Sequence, residues 1–227
     1  MPKSTALRIN FSCRPKLYRN RIKFATSSSR PVKILILDNF DSFTYNLLHY
    51  VECFDVECKV VRNNDVKLDM LNEFDKVILS PGPGLPKNAG AMMPFIAHCI
   101  GRKPLLGICL GMQGIVEYFG GRIIQMDPVS HGIAMDCTVL DEKDPLFHSI
   151  PKQFTAGMYH SWCVDPEHLP DELNITAKGK NGVVMGVRHE KLDVRGLQFH
   201  PESIMTPHGK KMIGNWLGRS ENQIISA

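Results

Sequence analysis

The sequence lacks any apolar run close to the ~18 residues that a membrane-spanning helix requires. It therefore predicts a soluble protein that has no membrane partner. The hydrophobic fraction of 43% and the charged fraction of 22% are typical of a globular domain and exclude a disordered chain. A length of 227 residues accommodates one domain with a sizeable core.

Acidic residues are absent from the first 30 positions, which carry eight Lys and Arg residues. The rest of the chain holds 19 of the 27 basic residues and all 23 acidic ones, a formal net charge of −4. Such an acidic body does not have the electrostatic footprint of a nucleic-acid-binding protein. We interpret residues 1–31 as a separate extension and 220–227 as a tail. The extension is either disordered and inert, an organellar transit peptide, or an arm for an acidic partner.

The seven cysteines include no C-x-x-C pair, so the sequence predicts neither a zinc site nor a disulfide framework. Mostly buried, free thiols in a reducing compartment are the expectation. We therefore predict the cytoplasm, or a plastid or mitochondrion if residues 1–30 direct import. We predict no metal ion or cofactor in this chain.

Strand-like and helix-like segments alternate in the first half of the chain. The β-branched and Leu run at 32–39 predicts a buried strand, and further strands are expected at 56–63, 76–80 and 104–108. Helices are expected between them, the first of them capped by Asp41 or Ser42. This order predicts an α/β fold with an open, mixed, mainly parallel sheet and helices on both faces.

After Gly121 the pattern changes to strands joined by turns. A last helix is expected near Lys210–Leu217. The strands expected in this part are 133–140, 172–179, 182–190 and 193–200.

The pattern G-x-C-x-G at Gly107–Gly111 has the form of a nucleophile elbow, with Cys109 between strand and helix. The helix N-terminus would favour the thiolate of Cys109, and the N–H of Leu110 would donate to an oxyanion. The loop Gly82–Gly84 follows another strand and offers a second donor. A buried structural cysteine between closely packed glycines explains the pattern equally well.

A nucleophilic cysteine requires a base, and the base requires a group that orients it. Among nine histidines, His200 stands out because it closes a predicted strand and Glu202 follows two positions later. Alternate residues of an extended chain point the same way, so Glu202 is expected to hold the imidazole of His200. The other histidines, including His160, are interpreted as surface or packing groups.

Several collinear motifs together resemble the class I glutamine amidotransferases, whose fold is flavodoxin-like. They are Leu37–Leu47, Ser80–Gly90, Leu105–Gln113, Tyr159–Trp162 and Gln198–Ser203. The first of these motifs narrows the resemblance to the glutaminase subunits of anthranilate synthase and 4-amino-4-deoxychorismate synthase. The resemblance covers about residues 32–217, and we predict one glutamine amidotransferase domain over residues 32–219.

The resemblance implies that Cys109 forms a γ-glutamyl thioester with L-glutamine, His200 acts as base and then acid, and Glu202 orients His200. It further implies a set of glutamine-binding and oxyanion groups: Gly82, Pro83, Gly84, Leu110, Gln113, Ser161 and Trp162. The amide of Gln113 would pair with the α-amino and carboxylate groups of glutamine.

The resemblance also implies a heteromeric partner, a synthase subunit that aminates chorismate and uses Mg²⁺. Anthranilate formation, for tryptophan biosynthesis, is the favoured role. The same role in 4-amino-4-deoxychorismate formation and a non-catalytic regulatory role are the alternatives.

Two positions depart from the usual motifs of these proteins. Met112 stands where the elbow motif more often has His, and Ile133 stands where many relatives have Lys after His131-Gly132. We expect Met112 to pack without a catalytic role, and we assign no contact to the His131 loop.

Overall fold

The computed structural model describes residues 30–219, so the predictions for most of the basic extension and for the tail lie outside the described residues. From Pro31 onward these residues belong to one compact unit. The strands are β1 Val32–Asp38, β2 Val56–Arg62, β3 Lys76–Leu79, β4 Leu105–Ile108, β5 Ile123–Val139, β6 Gln153–Val164, β7 Leu173–Gly179, β8 Val184–His189 and β9 Val194–Leu197. The helices are α1 Thr44–Glu52, α2 Met92–Cys99, α3 Leu110–Tyr118 and α4 Gly209–Leu217. None of the described helices is long and apolar enough to cross a membrane.

All nine strands form one sheet in the order β2-β1-β3-β4-β9-β8-β7-β5-β6. Pairing is parallel from β2 to β9 and antiparallel from β9 to β6. The prediction of a mixed α/β sheet is thereby confirmed. The parallel strands align their carboxyl ends at one edge, where open α/β sheets bind ligands.

Helices cover both faces of the parallel part, and successive residues of β1 face opposite layers. Ile34 and Ile36 belong to the apolar cluster that includes residues of α1 and α4. Leu35 and Leu37 belong to the cluster that includes residues of α2 and α3. Both faces of β1 are therefore buried, which explains the apolar run Ile34–Leu37 in its sequence.

The structure differs from the sequence predictions at four places. Strand β6 was not predicted, and β5 begins ten residues earlier than the strand expected at 133–140. Strand β9 ends at Leu197, three residues before His200. Helix α1 has no side-chain cap, although the Oδ1 of Asp41 accepts a hydrogen bond from the N–H of Phe43 at 2.7 Å.

Candidate active site

Cys109 occupies the turn between β4 and α3 with φ 52° and ψ −104°, a backbone conformation that non-glycine residues rarely adopt. A Cβ atom on Gly107 would lie 2.6 Å from the nitrogen of Met112, and one on Gly111 would lie 2.6 Å from the Cβ of Leu79. Both flanking glycines are therefore required by close backbone approach. The turn therefore has the form of a nucleophile elbow, and the strained backbone dihedral angles are those of Cys109.

Neighbouring strands hold this elbow in place. The N–H of Cys109 donates to the carbonyl of Leu197, at the end of β9, over 2.7 Å. The carbonyl of Cys109 accepts the N–H of Gln113, which begins the hydrogen bonding of α3. The N–H of Leu110 belongs to the first helical turn, whose N–H groups have no partner within the helix, so it is available to a ligand's oxyanion.

His200 and Glu202 form a buried pair next to the elbow. The Nδ1 of His200 lies 2.7 Å from the Oε1 of Glu202. The Nε2 of His200 is buried and has no hydrogen-bond partner among the described residues, but the Cys109 side chain is near enough to raise the pKa of His200. Such loose contacts are common before substrate binds. Burial by itself lowers the pKa of His200, but the nearby Cys109 side chain and the Glu202 carboxylate raise it to about 10.

A turn, not a strand, brings His200 and Glu202 together. The carbonyl of His200 accepts the hydroxyl of Thr206 at 2.7 Å and the N–H of Ser203 at 3.2 Å. The N–H of His200 donates to Gly157 of β6. The expectation that strand alternation pairs these side chains is wrong in its mechanism, because the chain has left β9 before His200 and bends at Pro201.

A cavity of about 220 Å³ opens beside the sulfur of Cys109. It joins the elbow, the Gly-Pro-Gly loop after β3 and the middle of β6. Its lining residues are Gly82, Pro83, Gly84, Cys109, Gln113, His131, Tyr159, His160, Ser161 and Trp162. The predicted glutamine contacts other than Leu110 thus line one cavity, and Leu110 is buried next to Cys109.

The amide of Gln113 has a fixed orientation. Its Nε2 donates to the backbone carbonyl of Trp162 at 2.8 Å and to the Oε1 of Gln198 at 3.2 Å. The Oε1 of Gln113 remains available, and an oxygen can only accept a hydrogen bond. Gln113 is therefore suited to an ammonium group, and the expected additional pairing with a carboxylate does not fit this orientation.

Sequence reasoning missed His160 as a residue of the cavity. Its side chain is buried, and its Nδ1 lies 3.3 Å from the carbonyl of Trp162, so that nitrogen carries the proton. The Nε2 atom is buried without a partner in the described part of the chain. Burial, then the charges of His200 and His131, lower the pKa of His160 to about 4. Its place in the Tyr159–Trp162 motif was the only signal in the sequence.

Met112 does not reach the cavity. Its side chain is fully buried in an apolar cluster with Val116, Val184 and Val187, and it packs against Gly196 of β9. Among the described residues, which leave out the side chains of 127–130, no group of three His, Cys, Asp or Glu is arranged to hold a metal ion.

Residues 35–219 match the family model described as Glutamine amidotransferase class-I, and the chain belongs to this family. The resemblance predicted from the motifs is thereby confirmed. The chain is 38% identical over 195 residues to the Bacillus subtilis protein named aminodeoxychorismate/anthranilate synthase component 2, covering 85% of this chain and all of the relative. It is 40% identical over 192 residues to anthranilate synthase component 2 of Pseudomonas aeruginosa, covering 81% of this chain and 94% of the relative.

Solved structures support the same fold. A Thermoplasma acidophilum protein described as part of a GMP synthase superposes with a TM-score of 0.76 at 25% identity, covering 84% of this chain and 94% of that one. A glutamine amidotransferase of Thermotoga maritima superposes with a TM-score of 0.65 at 16% identity, covering 84% of this chain and 82% of that one.

Proposed function

We propose that this chain hydrolyses L-glutamine at Cys109 and delivers the ammonia to a synthase subunit that aminates chorismate, for anthranilate and hence tryptophan biosynthesis. The names of its relatives support the role of glutamine amidotransferase subunit in that pathway. The observation that carries the proposal is the strained elbow of Cys109, which opens onto the cavity beside a buried His200–Glu202 pair.

In the first half of the reaction His200 takes the proton of the Cys109 thiol, and the sulfur attacks the side-chain amide carbon of glutamine. The resulting oxyanion lies near the N–H of Leu110, with the Gly82–Gly84 loop opposite. Imidazolium at His200 then protonates the departing nitrogen. Breaking the carbon–nitrogen bond releases ammonia and leaves a γ-glutamyl thioester on Cys109.

In the second half His200 removes a proton from water, which attacks the thioester. Glutamate leaves, the carbon–sulfur bond breaks, and the sulfur regains its proton. Glu202 holds the imidazole through Nδ1 and stabilises the imidazolium in both halves. Gln113 accepts from the α-ammonium group of glutamine, while Ser161 and Trp162 of β6 bound the other wall of the cavity.

Free ammonia in water would be protonated and lost as a nucleophile, so the chemistry calls for a docked acceptor. We expect this acceptor to be the partner subunit, which would bind chorismate and Mg²⁺. The expected compartment is the cytoplasm, or an organelle if the first 30 residues are removed on import. N-terminal sequencing of the mature chain from its source would distinguish these compartments.

A second candidate partner is a synthase that forms 4-amino-4-deoxychorismate. The Bacillus subtilis relative favours it, because its name includes both activities. The glutamine cavity is the same for either partner, since chorismate would bind to the other subunit. Affinity purification from the source organism followed by identification of the bound synthase would decide between them.

The central test is Cys109→Ser in the complex with its synthase subunit. We expect glutamine-dependent product formation to be lost while formation from ammonium salts stays at the wild-type rate. Cys58→Ser, on edge strand β2 away from the cavity, is the matched control and should retain both activities. Survival of glutamine use in the Cys109 variant would refute the assignment of the nucleophile.

A different measurement tests the alternative that this chain has a non-catalytic regulatory role. An electrophilic glutamine analogue should label Cys109 in the complex, and excess glutamine should protect the residue. If Cys109 stays unlabelled with the partner bound, the regulatory alternative is correct.

A further inference from the structure

A chain of hydrogen bonds connects β6 to the sulfur of Cys109 through two buried amides. The carbonyl of Trp162 accepts from Gln113 at 2.8 Å, Gln113 donates to Gln198 at 3.2 Å, and Gln198 approaches the Cys109 Sγ at 3.6 Å. Gln198 is fully buried and Gln113 is 2% exposed. The directions of these hydrogen bonds decide whether Gln198 presents a donor or an acceptor to the sulfur.

The backbone carbonyl of Trp162 fixes every direction in this chain. A carbonyl can only accept, so Gln113 must present its Nε2 to Trp162. The same Nε2 donates to Gln198, which must therefore present its Oε1 to Gln113. The Nε2 of Gln198 is left to point at the sulfur, and an amide nitrogen can only donate. Rotating the Gln198 amide would place two N–H₂ groups against each other.

The backbone around Gln198 is anchored to two neighbouring strands, and the Gln198 side chain is fully buried. The backbone N–H of Gln198 donates to the carbonyl of Met185 on β8 at 3.0 Å. The residue before Gln198, Leu197, accepts the N–H of Cys109 at its carbonyl oxygen. His200 lies two positions after Gln198. One short segment therefore supplies a donor, a backbone anchor and a base to the same cysteine.

From this geometry we infer that Gln198 is a further catalytic residue, whose side-chain N–H stabilises Cys109 Sγ whenever the sulfur carries negative charge. Negative charge resides there after the thiol proton has moved to His200, and again when the carbon–sulfur bond of the thioester breaks and the electron pair returns to sulfur. Hydrogen bonds to an ionised group are about twice as strong as neutral ones. The inference rests on the proposed function, because it requires Cys109 to be the nucleophile.

The same network also couples substrate binding to the nucleophile. Gln113 offers its Oε1 to the ligand and uses its Nε2 to orient Gln198. An ammonium group of the ligand that binds the Oε1 of Gln113 therefore stabilises this orientation of Gln113. The same orientation holds the amide of Gln198 toward the sulfur.

Two variants of Gln198 test the inference in the intact complex. Gln198→Met has a similar length and no donor. Gln198→Glu keeps the size and still accepts from Gln113, so it preserves packing if the methionine variant does not fold. Gln153→Met, at an exposed position of β6, is the matched control.

The first readout is the rate of Cys109 alkylation by iodoacetamide as a function of pH, which needs no glutamine. We expect both Gln198 variants to react about tenfold more slowly than wild type near neutral pH, with the rate–pH curve displaced to higher pH. Steady-state kinetics with glutamine should show a fall in kcat of about tenfold or more with KM little changed, because Gln198 does not line the cavity. The control should match wild type in both readouts.

An alkylation curve that coincides with wild type in folded Gln198 variants would overturn the inference, as would a change confined to KM. Either outcome leaves the proposed function intact if Cys109 still labels with the glutamine analogue in wild type. Failure of wild-type Cys109 to label would instead refute the proposed function itself.

Discussion

The Nδ1 of His200 lies 2.7 Å from the Oε1 of Glu202, and their side chains are only 2% and 0% exposed. A buried carboxylate this close fixes the plane of the imidazole and leaves Nε2 for the Cys109 side. It also stabilises the protonated imidazole, which is the form that would protonate the departing nitrogen in the proposed reaction. The pair therefore sets both the geometry and the pH range of the proposed reaction.

Glu202→Gln should shift the alkaline limit of glutaminase activity to lower pH. The Glu202 carboxylate is one of the groups that raise the pKa of His200 to about 10, so its replacement lowers that pKa. Activity declines as pH rises through the pKa of His200, since neutral imidazole cannot protonate the leaving nitrogen. We expect kcat near neutral pH to fall by about 10²-fold or more. A pH–rate profile of the complex measures both effects.

Glu142→Gln provides the control for this variant, because Glu142 pairs with Lys152 at the surface. An alkaline limb at the wild-type position in Glu202→Gln would contradict the role of Glu202.

Gly107→Ala should destabilise the fold sharply. The added methyl group would lie 2.6 Å from the nitrogen of Met112, and backbone cannot move aside as a flexible side chain can. We expect a loss of about 3 kcal/mol or more in the free energy of unfolding. Gly101→Ala isolates the effect of backbone conformation, because Gly101 has φ +73° and open space around it. That control should lose only about 1–2 kcal/mol. Urea denaturation of both variants measures the loss in the free energy of unfolding. Equal losses would show that a methyl group at position 107 does not clash with the backbone of the elbow.

Met112→Ala should cost stability without removing a catalytic group. Met112 is fully buried against Gly196, so truncation leaves a cavity and should lower the free energy of unfolding by about 2–5 kcal/mol. Met112→Leu, which conserves volume, should lose less than about 1.5 kcal/mol. Thermal or urea unfolding measures stability, and glutamine turnover below the transition should stay near wild type. Loss of turnover in a fully stable Met112→Leu protein would show that this residue acts on the chemistry.

His160 should make the protein less stable in mild acid. Its pKa is lowered to about 4 in the folded state from an ordinary value of 6.5. Below pH 6.5 the unfolded state therefore binds a proton that the folded state does not, and stability falls as pH falls toward 4. This contribution reaches about 3 kcal/mol at most.

Comparing wild type with His160→Gln separates the loss of stability caused by His160 from the loss caused by protonation of carboxylates. We expect the free energy of unfolding of the variant to decline less between pH 6.5 and 4. Parallel declines would indicate that His160 is protonated in the folded protein.

Strands β1, β3 and β4 of the parallel half could be predicted from sequence because they are buried on both faces. Within Val32–Asp38 the apolar run Ile34–Leu37 is short and followed by turn residues, which is typical of a buried strand. Strand β6 gave no comparable signal. His160 and Ser161 interrupt its apolar pattern where the strand lines the cavity, and Gly157 interrupts it where a Cβ atom would collide with Ser203.

The candidate site was predictable where its residues are adjacent in sequence. The glycines around Cys109 and the short spacing of His200 and Glu202 carry local geometric information. Gln198 carries none, because its partners Gln113 and Cys109 are 85 and 89 positions away. His160 likewise acquires its lowered pKa from burial and from His200 and His131, which only the folded chain brings near it.

The backbone conformation of Cys109 has a consequence for how this sequence tolerates change. A strained dihedral pair at a non-glycine residue costs about 1–3 kcal/mol. Glycine at position 109 would relax that strain and abolish the thiol, so selection for stability and selection for turnover oppose each other at this one position. Substitutions that stabilise the surrounding sheet raise the total free energy of unfolding, so that the protein tolerates the cost of the strained cysteine.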